Sequence, residues 1–488
     1  MFWFLVGILL VSFVYYYFVY YHVGYFKRRG IPTAPIKEPF WNHLNYFIDR
    51  ETPFYYAYDK WTEKFGKVFG FFLGWRRVLM ISDLEMAQDV LYRQYDNFDQ
   101  RMVIPLERLD HLWDRRYIMN ATGNKYRRIR SLVVQCFTPA MIRKVTPKIN
   151  DAAKSFVKIL KEKVENESGP IVVQRHVLEY VMDMLCRLVL GTQESLQFKN
   201  PYVNKVEQLM GSYSRTPVQR FSYLCTPFNT FWIPFYEAYN YFFPDHRMQM
   251  ITDLFVKVTQ RKKIRDELAE KGQRVDEKDF IDVMIDAEDN SVEDSKFKKQ
   301  LTPKEVIINC AVLVNGGLET TSNAAISSIC ALAKYPQYQQ SLYEEIMDSI
   351  DENSSENMFD QLKNMKLLDS FIKEVLRLNP SAPQTINRRT VNTTTIGNGK
   401  QKVEKGTYVF VNIRALQRNP EIWGDDASEF KPERFFDLTP EQNNAFLAFG
   451  GGPKICPGIL LANVAIKLMI IHLLKDKHHS NNHNNSAN

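Results

Sequence analysis

Phe449-Gly450-Gly451-Gly452-Pro453-Lys454-Ile455-Cys456-Pro457-Gly458 decides how the rest of this chain is read, because few chemistries need a lone cysteine in so much glycine. Three consecutive glycines and a proline make a loop that lets backbone come close to one sulfur. A strongly apolar run over 459–474 follows at once. The sulfur is therefore expected at or near a helix N-terminus, where the dipole and unpaired N–H groups favour thiolate over thiol. A thiolate so placed serves as a nucleophile or as a ligand to iron, whereas a Gly-rich turn beside a buried cysteine is by itself more often structural.

Two helical motifs precede it. Gly316-Gly317-Leu318-Glu319-Thr320-Thr321 lies in a long helical stretch that begins at Leu301-Thr302-Pro303-Lys304-Glu305. There Thr302 and Glu305 form a capping box, and Pro303 suits the first turn. Two adjacent glycines inside a helix cost roughly 1 kcal/mol each relative to alanine, so the space or bend they create has a use. Close helix packing is one such use. The second motif, Glu374-Val375-Leu376-Arg377, puts a carboxylate and a guanidinium on one helical face, which alone reads as an exposed pair of little energy.

The order Phe, two residues, Gly, one residue, basic residue, one residue, Cys, one residue, Gly resembles the haem-ligand loop of the cytochrome P-450 family. The helical motifs fall in that family's order, so the resemblance covers nearly the whole chain. It implies a mostly α fold with small β-sheets, a large helical domain plus a minor β region. It implies haem b with Cys456 as the axial thiolate and Phe449 against the cofactor. Gly316 and Gly317 look like the distal oxygen-binding groove, with Glu319 and Thr320 as the acid–alcohol pair that relays protons. Phe430-Lys431-Pro432-Glu433-Arg434-Phe435 resembles the segment whose arginine completes a buried cluster with Glu374 and Arg377, a structural role. Between these, 406–412 reads as a strand after a turn at Gly397-Asn398-Gly399.

Propionate clamps follow from the same resemblance. In Gly123-Asn124-Lys125-Tyr126-Arg127-Arg128-Ile129-Arg130 the family usually has Trp where Tyr126 stands, and Arg130 matches its arginine. Tyr126 can still donate one hydrogen bond. Lys454 stands where the family generally carries Arg, and a point charge replaces a bidentate fork. Arg388 or Arg389 supplies another clamp, the spacing leaving the choice open, and Arg101 is a weaker candidate. Any one of Lys125, Arg127 and Arg128 otherwise reads as part of a solvated face.

Composition agrees. The 488 residues contain no Pro/Gly/Ser linker and no repeat, so one large domain is expected, and six scattered cysteines form neither a zinc pattern nor a disulfide framework. A net charge of +7 spread along the chain argues against nucleic acid. From Phe2 to Phe26 there is no Asp, Glu, Lys or Arg, and such a segment as a helix spans roughly 37 Å, enough to cross a bilayer. Lys27, Arg28 and Arg29 follow, which puts the remainder on the cytoplasmic side. A cleaved signal peptide would carry a leading positive region and a small-residue cleavage site, both missing here. The expected organisation is an anchor at 1–29, a catalytic domain at 30–476 and a His/Asn/Ser low-complexity tail at 477–488, disordered by composition.

Ile31-Pro32-Thr33-Ala34-Pro35 resembles the short proline hinge of a microsomal enzyme in the endoplasmic reticulum membrane. The aromatic-rich stretch 221–243 resembles a membrane-immersed roof, with a core helix pair as the alternative. No dinucleotide or P-loop fingerprint is present. The resemblance therefore implies electrons from an NADPH-dependent flavoprotein reductase docking near 125–130, with cytochrome b5 as a further candidate partner, and a small lipophilic substrate. The family usually continues past the last apolar helix with a sheet and hairpin, and here only 32 residues follow Cys456. Hence one rival expectation is a non-catalytic or truncated haem-binding protein; a separate one is a reductase-independent haem-thiolate isomerase or dehydratase.

Overall fold

The computed structural model describes residues 2–36, 43, 54–102, 117–166, 169–204, 234–235, 238–239, 241–242, 246–273, 279–288, 300–351, 354, 356–381 and 385–486. The stretch 221–243 lies mostly outside them, so its two readings stay open. Helices dominate: α1 (Phe2–Tyr16), α2 (Phe54–Phe65), α3 (Gly123–Val133), α4 (Pro139–Asn166), α5 (Val173–Leu185), α6 (His246–Glu270), α7 (Phe280–Asp286), α8 (Pro303–Lys334), α9 (Lys366–Leu378) and α10 (Ile459–Ser486), with shorter helices between. Helix α8 starts where its capping residues say: Glu305 N–H donates to Thr302 Oγ1 at 3.3 Å, and Thr302 N–H donates to Glu305 Oε2 at 3.0 Å. It packs against α5, α6 and α10, and α10 lies along α4, enclosing the larger of the apolar cores.

The minor region is a four-stranded sheet in the order β1 (Val68–Leu73), β2 (Arg76–Ile81), β6 (Tyr408–Asn412), β3 (Thr385–Arg389), beside a hairpin of β4 (Thr394–Ile396) and β5 (Gln401–Val403). Strand β6 pairs parallel with β2 and antiparallel with β3, and every one of its residues is buried. Apolar clusters cover both faces of the sheet, which explains a continuous Val/Phe/Tyr run instead of alternation. The β4–β5 turn passes through Gly397, Asn398 and Gly399 at φ 65°, 54° and 81°, the left-handed region their residue types favour.

Two expectations change. Helix α10 continues to Ser486 through the His/Asn/Ser stretch expected to be disordered, since extending a well-packed helix costs little once its apolar turns have formed. Residues 31–35 are no free hinge either. Gly70 N–H donates to Pro32 O at 2.7 Å and Ala34 N–H to Gly70 O at 3.0 Å, adding the segment to the edge strand β1, whose outer groups need partners. Among the described residues one helix, 2–22, is long and apolar enough to cross a membrane, and none of its apolar window is buried inside the protein.

Candidate active site

The cysteine loop is built by backbone. Gly450 and Gly452 sit at φ 81° and 68°, and a Cβ on Gly452 would lie 1.9 Å from Leu91 O. No side chain fits there. Cys456 N–H donates to Phe449 O at 2.9 Å, Gly450 N–H to Leu447 O at 2.8 Å, and α10 starts three residues after the sulfur. Cys456 is exposed. Surrounding protein pushes its thiol up, while the Gly458 backbone and the guanidinium groups of Arg130 and Arg101 pull it down. Cys136, Cys186 and Cys310 are buried, and burial pushes all three up, the last two to about 12. Cys330 is exposed on α8, and Cys225 lies outside the described residues. Phe449 is half-buried, packed at the margin of the helical core.

Cations gather beside this loop. Arg388 is buried on β3, its Nη1 donating to Asn387 O at 2.9 Å and its Nε without a partner. Burial, then the nearby Arg101, lowers it to about 9. Lys454 is buried and lowered to about 7 by burial, then by Arg101 and Arg388. Its ammonium donates to the carbonyls of Asp99 and Ala121 and lies 4.4 Å from the Tyr126 ring centre. Tyr126 donates its hydroxyl proton to Pro453 O at 2.9 Å and accepts from Arg130 at 3.2 Å. Arg101 reaches Lys454 O at 3.3 Å.

Two of the expected clamps thus have other uses. The protons of Tyr126 and Lys454 tie the loop to its neighbours, because carbonyls within reach take the donors first. Arg388 joins the cation group, whereas Arg389 lies with Tyr408, 5.8 Å from that ring centre, also with an unpartnered Nε. Among the described residues no carboxylate forms an ion pair with Arg101, Arg130, Arg388 or Lys454.

The Glu374 pair is not exposed. Arg377 donates from Nε and Nη2 to the two oxygens of Glu374 at 2.6 and 2.8 Å, with both side chains fully buried. Its Nη1 reaches Gln417 O and Ala427 O, each at 2.7 Å, and Nη2 reaches Glu429 O at 3.1 Å. Arg434 approaches Glu374 Oε1 at 3.4 Å and pairs with Asp426 at 2.7 Å. Gln417, which no sequence signal marked, carries this network to the cysteine loop. Its amide donates to Leu376 O and Arg377 O at 3.1 and 2.9 Å, and its Oε1 accepts Leu447 N–H at 2.8 Å.

On α8 the two glycines divide the two readings between them. A Cβ on Gly317 would meet Leu185 of α5 at 3.0 Å, so that glycine serves close packing, whereas Gly316 faces open space. Thr320 donates its hydroxyl to Gly316 O at 2.7 Å and is half-buried. The carboxyl of Glu319 is exposed, yet surrounding protein raises its pKa. Arg128 leaves the solvated face: its fork takes both oxygens of Glu305 at 2.7 and 2.9 Å, tying α3 to the start of α8.

The sequence profile described as Cytochrome P450 matches residues 32–484. The chain belongs to the cytochrome P450 family. Three similar relatives come from Caenorhabditis elegans. "Putative cytochrome P450 CYP13A2" is 32% identical, covering 93% of this chain and 88% of its own length. "Putative cytochrome P450 CYP13A8" is 31% identical over 96% and 92%, and "Putative cytochrome P450 CYP13A10" is 30% identical over 96% and 91%. Cytochrome P450 enzymes are haem-thiolate monooxygenases, and the residues here fit that group. A P450 haem brings one iron and two carboxylates. The loop offers an exposed sulfur whose thiol two guanidinium groups pull down, and Arg388 keeps a buried N–H with nothing to bond. A dianion there offsets the cost of crowding desolvated cations.

Proposed function

We propose that this P450 inserts one oxygen atom from O2 into a lipophilic substrate, drawing electrons from a separate NADPH-dependent flavoprotein reductase. The observation that carries the reading is an exposed cysteine held in a loop of left-handed glycines, its thiol pulled down by Arg130 and Arg101. Cys456 is the iron ligand. Bound haem supplies the oxygen-activating and electron-transfer chemistry. Arg388, Arg130 and Arg101 hold its propionates, while Tyr126 and Lys454 keep the loop in place and Phe449 packs against the ring. Glu374, Arg377 and Arg434 are structural.

The chain's own catalytic contribution is proton handling. Because its surroundings favour the neutral form, Glu319 keeps a carboxyl proton to higher pH than an ordinary glutamate and can hand it on from solvent. Thr320 Oγ1 has its own proton directed to Gly316 O, which leaves its lone pairs free to accept one from Glu319 or from water. The segment 2–22 is the anchor, placing the catalytic domain on the cytosolic side of the endoplasmic reticulum membrane, where an apolar substrate concentrates. Cytochrome b5 is a second electron donor compatible with that location.

The test is the absorption spectrum of the reduced, CO-bound protein. Wild type gives the thiolate-ligated band, Cys456→Ala loses it, and replacing Cys136, Cys186, Cys310 or Cys330 leaves it. A thiolate band that survives Cys456→Ala overturns the ligand. A wild type with the band but no substrate-dependent NADPH use alongside a reductase overturns the monooxygenase reading.

A further inference from the structure

The passage from the anchor to the catalytic domain is tied down at nearly every step. Arg28 closes the end of the anchor helix, donating to Tyr20 O at 2.7 Å and also to Tyr21 O. In the next turn Phe26 is buried so tightly that a Cβ on Gly70 of β1 would lie 2.2 Å from its ring. Beside it the Tyr25 ring lies against two cations, with Arg29 at 3.7 Å and Arg77 of β2 at 4.2 Å from its centre. Glu404, in the connection from β5 to β6, binds all three. It accepts from Tyr25 Oη at 2.8 Å and from Arg29 Nε and Nη2 at 3.0 and 2.8 Å, and it lies 3.6 Å from Arg77.

Further on, His43 bridges the linker to the sheet. Its Nδ1 accepts Phe72 N–H at 3.1 Å, so the proton on the ring sits at Nε2 and is donated to Ala34 O at 3.1 Å. On the anchor side, Trp75 in the β1–β2 turn lies 6.0 Å from Tyr17 and 5.0 Å from His22, ring centre to ring centre.

We propose that residues 25–34, locked by Glu404, form a rigid coupler that sets one orientation of the catalytic domain on the bilayer and holds the β1–β2 turn at the lipid surface. A free proline tether would let the domain roll, and no contact would survive between the anchor's last turn and Trp75. Here the ring contacts, the buried Phe26 and the two backbone hydrogen bonds to Gly70 join anchor and sheet into one unit. Trp75 then faces headgroups, the environment that suits an amphipathic ring. This rests on the reading of 2–22 as a membrane span, and Glu404 acts as a positioning residue, remote from the cysteine loop in sequence and in its contacts.

The experiment uses the full-length holoprotein in lipid nanodiscs. Haem linear dichroism on oriented discs reads the tilt of the domain, and hydrogen exchange reads the amides of Ile31, Ala34 and Gly70. Wild type is expected to show a single tilt and protected amides. Glu404→Arg should broaden the tilt and speed exchange at these amides about tenfold or more, with an unchanged haem spectrum. Arg29→Gln should do the same to a smaller degree and covers the case in which charge reversal prevents folding. Unprotected linker amides in a membrane-bound wild type overturn the coupler, and so does a tilt that neither variant changes. Loss of wild type from the lipid on washing overturns the span reading, and the coupler with it.

Discussion

The Glu374 network and the Gly316–Thr320 segment serve the same site and are built by opposite rules. In the first, two fully buried charges face each other and the guanidinium also donates to backbone carbonyls of segments distant in sequence. The second consists of an open-faced glycine, an exposed carboxyl and a hydroxyl bonded within its own helix. The difference teaches where each kind of residue can tolerate change. The part that aims the sulfur is over-determined and its loss costs folding. The part that handles protons must stay reachable, so its loss costs chemistry and little stability.

Breaking the network should have the largest effect. Arg377→Ala leaves Glu374 charged and buried, and about 3–5 kcal/mol of stability is expected to go, seen in urea unfolding together with low haem content. A smaller loss, about 1–3 kcal/mol, is expected for Gln417→Leu, which strands the buried Leu447 N–H. Retained haem affinity in that variant would show that the network does not reach the cysteine loop.

The glycine pair sharpens the comparison further, because neighbouring positions should respond with opposite sign. Gly316→Ala meets open space and should stabilise α8 by up to about 1 kcal/mol, while Gly317→Ala must push Leu185 aside and should destabilise. Thermal unfolding of both variants decides the matter, and equal responses would mean that the two glycines share one role. The smallest stability effect is expected for Thr320→Ala, within about 0.5 kcal/mol, because its hydroxyl bonds only within its own helix. Its product per NADPH should nevertheless fall by about 10²-fold or more. Unchanged yield would remove Thr320 from proton delivery.

Local signals in the chain are legible where local chemistry decides. The box at Thr302 and Glu305, the left-handed turn at 397–399 and the glycine loop before Cys456 each state a backbone geometry within a few residues. Gln417 and Glu404 carry no such statement, since each acts on partners tens or hundreds of positions away. Arg128 shows the same limit from the other side: as a helical residue among basic neighbours it reads as solvated, and only the docking of α3 on α8 supplies Glu305. The prolines of 31–35 suggested a hinge because proline breaks regular structure, yet an edge strand with unpaired groups recruited the segment.

By itself the sequence determined the helical class, the family motifs, the apolar N-terminal segment and the cysteine in its glycine loop, because periodicity, glycine content and short-range spacing are properties of neighbouring residues. Tertiary structure decided which cations surround the sulfur, that Tyr126 and Lys454 bond to backbone, that Gly316 is open while Gly317 is packed, and that Glu404 ties the anchor to the sheet. Those outcomes depend on distance in space and on competition among donors for a limited set of acceptors, and neither exists until the chain has folded.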